Sequence, residues 1–133
     1  MGKKQRKRGA VTVEFAIALP ILLLFVFSGI EFARVNMIRN AANNAAYAGA
    51  RKGIVPGATT TECILACNDA LNILGLSGFV VTASPSVIQP DTEFVTCTVS
   101  VPISSSNSFV TPRFYMGKTL NASITLPRER RFQ

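Results

Sequence analysis

The sequence predicts an α+β chain: a long N-terminal transmembrane helix that continues as a stem, then a short helix packed on a small three-stranded antiparallel sheet. Three observations carry this. Phe15 to Ile30 is uncharged and almost wholly apolar, within a stretch from Gly9 to Arg34 that directly follows the basic block Lys3-Lys4-Gln5-Arg6-Lys7-Arg8. Arg34 to Lys52 is rich in Ala and Asn at helical spacing. Glu93 to Val101 alternates Thr and Ser with Val and Cys, which is the period of a half-buried strand. The expected divisions are a basic leader over 1–9, a span over 10–33, a stem over 34–55 and an extracytoplasmic α+β domain over 56–133.

At about 1.5 Å per residue, Ala10 to Ala33 covers roughly 35 Å, enough for a hydrocarbon core of about 30 Å. Glu14 and Glu31 fall near the two ends of the apolar run, where an acid costs far less than at the centre. Pro20 lies in its first half and frees the carbonyl of Ala16, so a mild kink is expected there. The net charge is +7, but five of the fourteen basic side chains are Lys3, Lys4, Arg6, Lys7 and Arg8, and without them it falls to +2. The block is therefore a topology signal. Basic residues stay on the cytoplasmic side, so the N-terminus is expected inside and the C-terminal domain outside a cytoplasmic membrane, with lipid as a partner. Beside an apolar span, a nucleic-acid role for the block is not expected.

The stem predicts two faces. Asn36, Arg39, Asn40, Asn43 and Asn44 form a polar one; Val35, Ile38, Ala42, Ala45, Ala46 and Gly49 form a small apolar one. Small faces permit close approach, either to neighbouring helices or to the chain's own C-terminal domain. Gly53 and Pro56 stop the helix. One of Thr59, Thr60 and Thr61 caps the next helix, Glu62 adds charge to its first turn, and it runs to about Leu74 before Gly75. Strands follow at Phe79–Ala83, Glu93–Val101 and Thr119–Leu126. Pro102 and Ser104 to Ser108 read as loop, and Phe109, Phe114, Tyr115 and Met116 as cover for the core or for a partner.

Three cysteines cannot all pair within one chain. Outside the cytoplasm one disulfide is reasonable, joining Cys97 to Cys63 or Cys67; buried free thiols and intermolecular pairing are the alternatives. A Cys63–Cys67 bridge would strain a regular helix. With no His and no fourth thiol, no metal site and no cofactor are expected. Only seven acids are present, and no Gly-rich phosphate loop, so the chain is not expected to be an enzyme.

A basic block before an apolar run admits three readings. A cleavable secretory signal has a shorter apolar core and a small-x-small site, which Gly29-Ile30-Glu31-Phe32-Ala33 supplies poorly. A plain anchor has no need of a carboxylate just inside its apolar end. A prepilin-type leader puts Gly9 at the basic–apolar junction with Glu14 the fifth residue after it. Gly9-Ala10-Val11-Thr12-Val13-Glu14-Phe15-Ala16, then Pro20, then Gly29-Ile30-Glu31-Phe32-Ala33-Arg34, resembles the N-terminal signature of TadE-like proteins, minor pseudopilins of tight-adherence pilus systems in the wider type IV pilin group. The likeness covers about residues 8–55 and departs at Ala33, where many members carry Gly. The resemblance implies cleavage by a prepilin peptidase between Gly9 and Ala10. It implies that Glu14 faces the new amine of Ala10 on a neighbouring subunit. It implies other pilins or pseudopilins and an inner-membrane assembly platform as partners, and a structural role in pilus assembly, cell adhesion or secretion. Gly29, Glu31 and Arg34 would act, with Pro20, in helix packing or a kink.

Overall fold

The computed structural model describes residues 3–103, 107 and 117–128, with side chains from residue 9 onward. Phe109, Phe114, Tyr115 and Met116 lie outside the described residues, as do Ser104, Ser105, Ser106 and Ser108.

The first helix, α1, spans Lys3–Gly53 and passes through Pro20 without a break. It extends about 75 Å at the standard rise. It begins inside the basic block, because Lys, Arg and Gln are good helix formers and nothing before Gly9 interrupts them. Leader and span are thus one continuous element. Every residue from Gly9 to Ile30 is exposed, including Phe15, Ile17, Leu22, Leu24 and Phe25. By length and composition the helix can cross a membrane, and it suggests a membrane anchor.

From Glu31 onward the same helix changes character. Glu31, Ile38, Ala41, Ala42, Ala45, Ala46, Gly49, Ala50 and Gly53 are buried, at intervals of three, four and seven. Asn36, Arg39, Asn40, Asn43 and Asn44 stay exposed. The small face that the sequence marks is therefore covered, and its cover is the chain's own C-terminal half.

The second helix, α2, is Thr60–Ile73. Thr59 is the N-cap: its hydroxyl accepts from the Glu62 N–H at 3.3 Å, and its own N–H donates to Glu62 Oε2 at 3.0 Å. Two orphan donors are satisfied reciprocally. At the other end the Leu76 N–H reaches Leu71 O at 3.3 Å and the Gly75 N–H reaches Asn72 O at 2.9 Å. Gly75 takes φ +67°, the left-handed conformation this ending requires and that a Cβ disfavours. Leu71 and Leu76 are both buried beneath the turn, so the chain leaves the helix pointing into the core.

Three strands follow: β1 Val80–Ser84, β2 Phe94–Pro102 and β3 Thr119–Pro127. They form one antiparallel sheet in the order β1-β2-β3. Registers are fixed by pairs such as Ala83 with Cys97 and Cys97 with Ile124. Each strand differs from its expected bounds by a residue or so; Pro102 closes β2 opposite Thr119 rather than opening the loop. Val95, Cys97, Val99 and Val101 point inward and are fully buried. The outer face carries hydroxyls. Thr96 and Thr125 pair at 2.8 Å, and Thr98 and Ser123 at 3.0 Å.

The sheet is covered by two helices, not one. α1 packs on β2 and β3, while α2 packs on α1 and reaches β1. The stem is thus half of the core, and the change at residues 55–56 marks where the chain turns back, not where a separate packing unit begins. Ile38, five stem alanines, Leu71 and the inner valines of β2 make one apolar cluster. The helix that can cross a membrane thus doubles as the scaffold against which α2 and the sheet pack.

Candidate functional site

Three constellations stand out: the N-terminal face of α1, the junction where α1 enters the head (the packed unit of the stem, α2 and the sheet), and the cysteine cluster inside that unit. At the first, Gly9, Ala10 and Glu14 are all exposed on the helix surface. Ala10 and Glu14 are four residues apart and share one face, one turn from each other. A Cβ built at Gly9 meets nothing within 4 Å, nor does one at Gly29. Neither glycine is required by packing within the chain. Glu14 is surrounded on the helix by Val11, Val13, Phe15 and Ile17, all more than 60% exposed. A carboxylate in such a setting is costly in hydrocarbon unless a cation meets it.

At the junction, Glu31 is only 4% exposed. The sequence places it as an acid at the end of the span; the structure places it on the buried stripe, seven residues before Ile38. Arg34, one turn on, is largely exposed but anchored: its Nε donates to the main-chain carbonyl of Asn107 at 2.8 Å.

Asn107 was read only as part of a loop, and it is the polar centre of the junction. It is 1% exposed. Its Oδ1 accepts from the Ser77 N–H at 3.0 Å, and its Nδ2 donates to Ser77 O at 2.9 Å and Pro102 O at 3.0 Å. One side chain therefore ties the turn after α2 to the end of β2, while its backbone holds α1. Amide groups satisfied this fully are worth keeping buried, and removal of one partner strands the others. No periodic signal marks such a residue in a Ser-rich stretch.

Deeper in the head, Cys63, Cys67 and Cys97 are all fully buried free thiols. α2 presents Cys63 and Cys67 one turn apart, and β2 presents Cys97 between Val95 and Val99. All three lie against two glycines of α1. A Cβ at Gly49 would overlap Cys67 Sγ and sit 3.2 Å from Cys97 Sγ. One at Gly53 would come within 2.7 Å of Val95 Cγ1 and 2.8 Å of Cys63 Sγ. The Cys63 thiol donates to Thr59 O at 3.3 Å. Burial pushes the Cys63 thiol up from its ordinary pKa. Hydrogen bonding to Cys67, then burial, push Cys97 up, while the same hydrogen bond draws Cys67 down. Of the two, Cys67 is the easier to ionise.

The sequence-level candidates thus separate. Gly9, Ala10, Glu14, Pro20 and Gly29 lie on the exposed part of α1, away from the head. Glu31 and Arg34 belong to the junction, and the three cysteines to the core. Neither the curated proteins nor the solved structures contain a match to the chain. Residues 9–51, the apolar span together with the stem that the head clasps, match the family model for TadE-like protein, the family whose N-terminal pattern the chain resembles.

Proposed function

We propose that the chain is a minor pseudopilin of a tight-adherence pilus system, a structural and assembly component without catalysis of its own. A prepilin peptidase removes residues 1–9 by cutting between Gly9 and Ala10. The apolar part of α1 holds the mature chain in the cytoplasmic membrane, with its N-terminus at the cytoplasmic side and its head outside. Its partners are the peptidase, other pilins or pseudopilins, the assembly platform and lipid.

The observation that supports this best is Glu14. It is an exposed acid inside an otherwise apolar, uncovered helix, five residues after an unpacked glycine. Cleavage after Gly9 would create an ammonium on Ala10. Near the positive end of the helix an acid is favoured, and the amine of an adjacent subunit would complete the pair. A helix whose acid is satisfied best by a neighbour is biased towards assembly.

The test is the intact mass of the chain from membranes of cells with and without an active prepilin peptidase. A mature chain beginning at Ala10 only when the peptidase is present supports the reading. A full-length chain in both sinks processing. Glu14→Gln should leave cleavage intact and reduce copurification of partner pilins at least tenfold.

A permanently anchored binding or scaffold protein is the second reading. It is favoured by the covered stem face, which leaves fewer small residues for packing on neighbours. It requires a full-length mass and indifference to Glu14→Gln.

A further inference from the structure

Among the described residues outside the proposed assembly face, the three buried thiols form the one nucleophilic cluster. They are not equivalent. Cys63 sits over Gly53 beside Val95, and its hydrogen is committed to Thr59 O at 3.3 Å. Cys67 and Cys97 press on a different glycine: both sulfurs lie against Gly49, from opposite elements of the head. The register explains the choice. Val95 and Cys97 are neighbours on the inner face of β2, Cys63 and Cys67 are neighbours on one face of α2, and Gly53 and Gly49 are neighbours on one face of α1. Each layer advances by one step, so Cys63 meets the level of Val95 and Cys67 meets the level of Cys97; Cys97 also touches Cys63, but its stronger hydrogen bond is to Cys67. The missing Cβ at Gly49 is what lets two sulfurs share one site.

We infer that Cys67 and Cys97 are a redox pair that closes into a disulfide across Gly49, stapling α2 to β2, while Cys63 remains a thiol. The pairing rests on the geometry; its occurrence in the cell rests also on the proposed extracytoplasmic location of the head. The chemistry is thiol–disulfide exchange. Cys67, whose thiol is eased toward the thiolate by the hydrogen bond from Cys97, attacks a small-molecule disulfide and expels one thiolate, giving a mixed disulfide. Cys97 then loses its proton and displaces the second thiol. Two S–H bonds are lost and one protein S–S bond forms; two electrons and two protons pass to the oxidant, which leaves as two thiols. Because both sulfurs are fully buried, closure takes place during folding or a local opening of the head.

The test uses the full chain in detergent, reduced and then equilibrated with glutathione disulfide and glutathione at defined ratios. Remaining thiols are trapped by alkylation under acid denaturation, and the chain is digested without reduction and read by mass spectrometry. The expected product is one linked peptide pair joining Cys67 to Cys97, with Cys63 alkylated. Cys63→Ser should form the same bridge at the same glutathione ratio, and Cys67→Ser should need at least a tenfold more oxidising ratio to lose Cys97. Three alkylated thiols under excess glutathione disulfide overturn the inference, as does a Cys63–Cys97 link. A second sample, alkylated directly in intact cells, tests the compartment alone. A chain that bridges in glutathione but stays reduced in cells keeps the pair and overturns the external placement of the head.

Discussion

Two stretches of α1 are one helix with opposite surroundings. From Gly9 to Ile30 all residues are exposed, apolar side chains on every side. From Glu31 to Gly53 one stripe is buried and the opposite one is polar. The first stretch carries bulk: large aliphatic and aromatic groups, the composition of a helix that can cross a membrane. The second needs the reverse, since alanine and glycine let a helix and a sheet come within contact of its backbone. A glycine therefore has opposite meaning in the two halves. Gly29 is open space, whereas Gly49 is a contact surface for two sulfurs.

Paired substitutions break or sharpen that contrast. Ile38→Ala removes a fully buried side chain from the stem and should cost the head about 3 kcal/mol, whereas Ile21→Ala, exposed in the span, should leave head unfolding unchanged. Urea unfolding of the detergent-solubilised chain, followed by exposure of the cysteines, reads both. Gly49→Ala forces a Cβ onto Cys67 Sγ and should cost about 2–3 kcal/mol; Gly29→Ala should cost the head nothing. Equal effects at the two glycines would mean that the head does not sit on this face.

Asn107→Ala leaves the Ser77 N–H and the Ser77 and Pro102 carbonyls without their buried partner, for a loss of about 2 kcal/mol. Arg34→Gln disturbs only the contact to the Asn107 main chain and should cost less than half as much. Thr59→Ala removes the cap of α2, about 1 kcal/mol, and hydrogen exchange should rise chiefly in its first turn.

The smallest effect is one of pH. In the reduced chain the raised values of Cys63 and Cys97 mean that the folded head holds protons that the unfolded chain releases. Their stabilisation is complete below the unfolded thiol value and is lost as pH rises above about 9, with Cys67 offsetting part of it in the opposite sense. Unfolding midpoints of the reduced chain should therefore fall from pH 9 to 10, while Cys63→Ser shows a shallower decline.

Periodicity made most of this fold legible. The alternation of β2, the Thr59 and Glu62 pair at the start of α2, and the glycine at its end are local patterns, and each stands within a residue or so of where it was expected. The small face of the stem was legible too, but not what covers it: composition offers no distinction between a neighbouring helix and the chain's own sheet. Glu31 stands at the end of the exposed run, where the sequence put it, but its burial was not read from the residues; its spacing of seven from Ile38 was the available signal. Asn107 left no signal at all, since its partners Arg34 and Ser77 lie 73 and 30 residues away. Among the cysteines, spacing showed that Cys63 and Cys67 share a face, while the difference between them depends on two glycines of another element.

The antiparallel packing of α2 along α1 has a mechanical consequence. Cys63 lies at the level of Gly53 and Cys67 at the level of Gly49, so the two helices are joined lengthwise, not at a point. A pull along the axis of α1 loads that seam in shear, and every small contact between Ile38 and Gly53 must yield together. A pull across the axis would peel them one after another. The head is thus stiff along the axis of α1 and compliant across it.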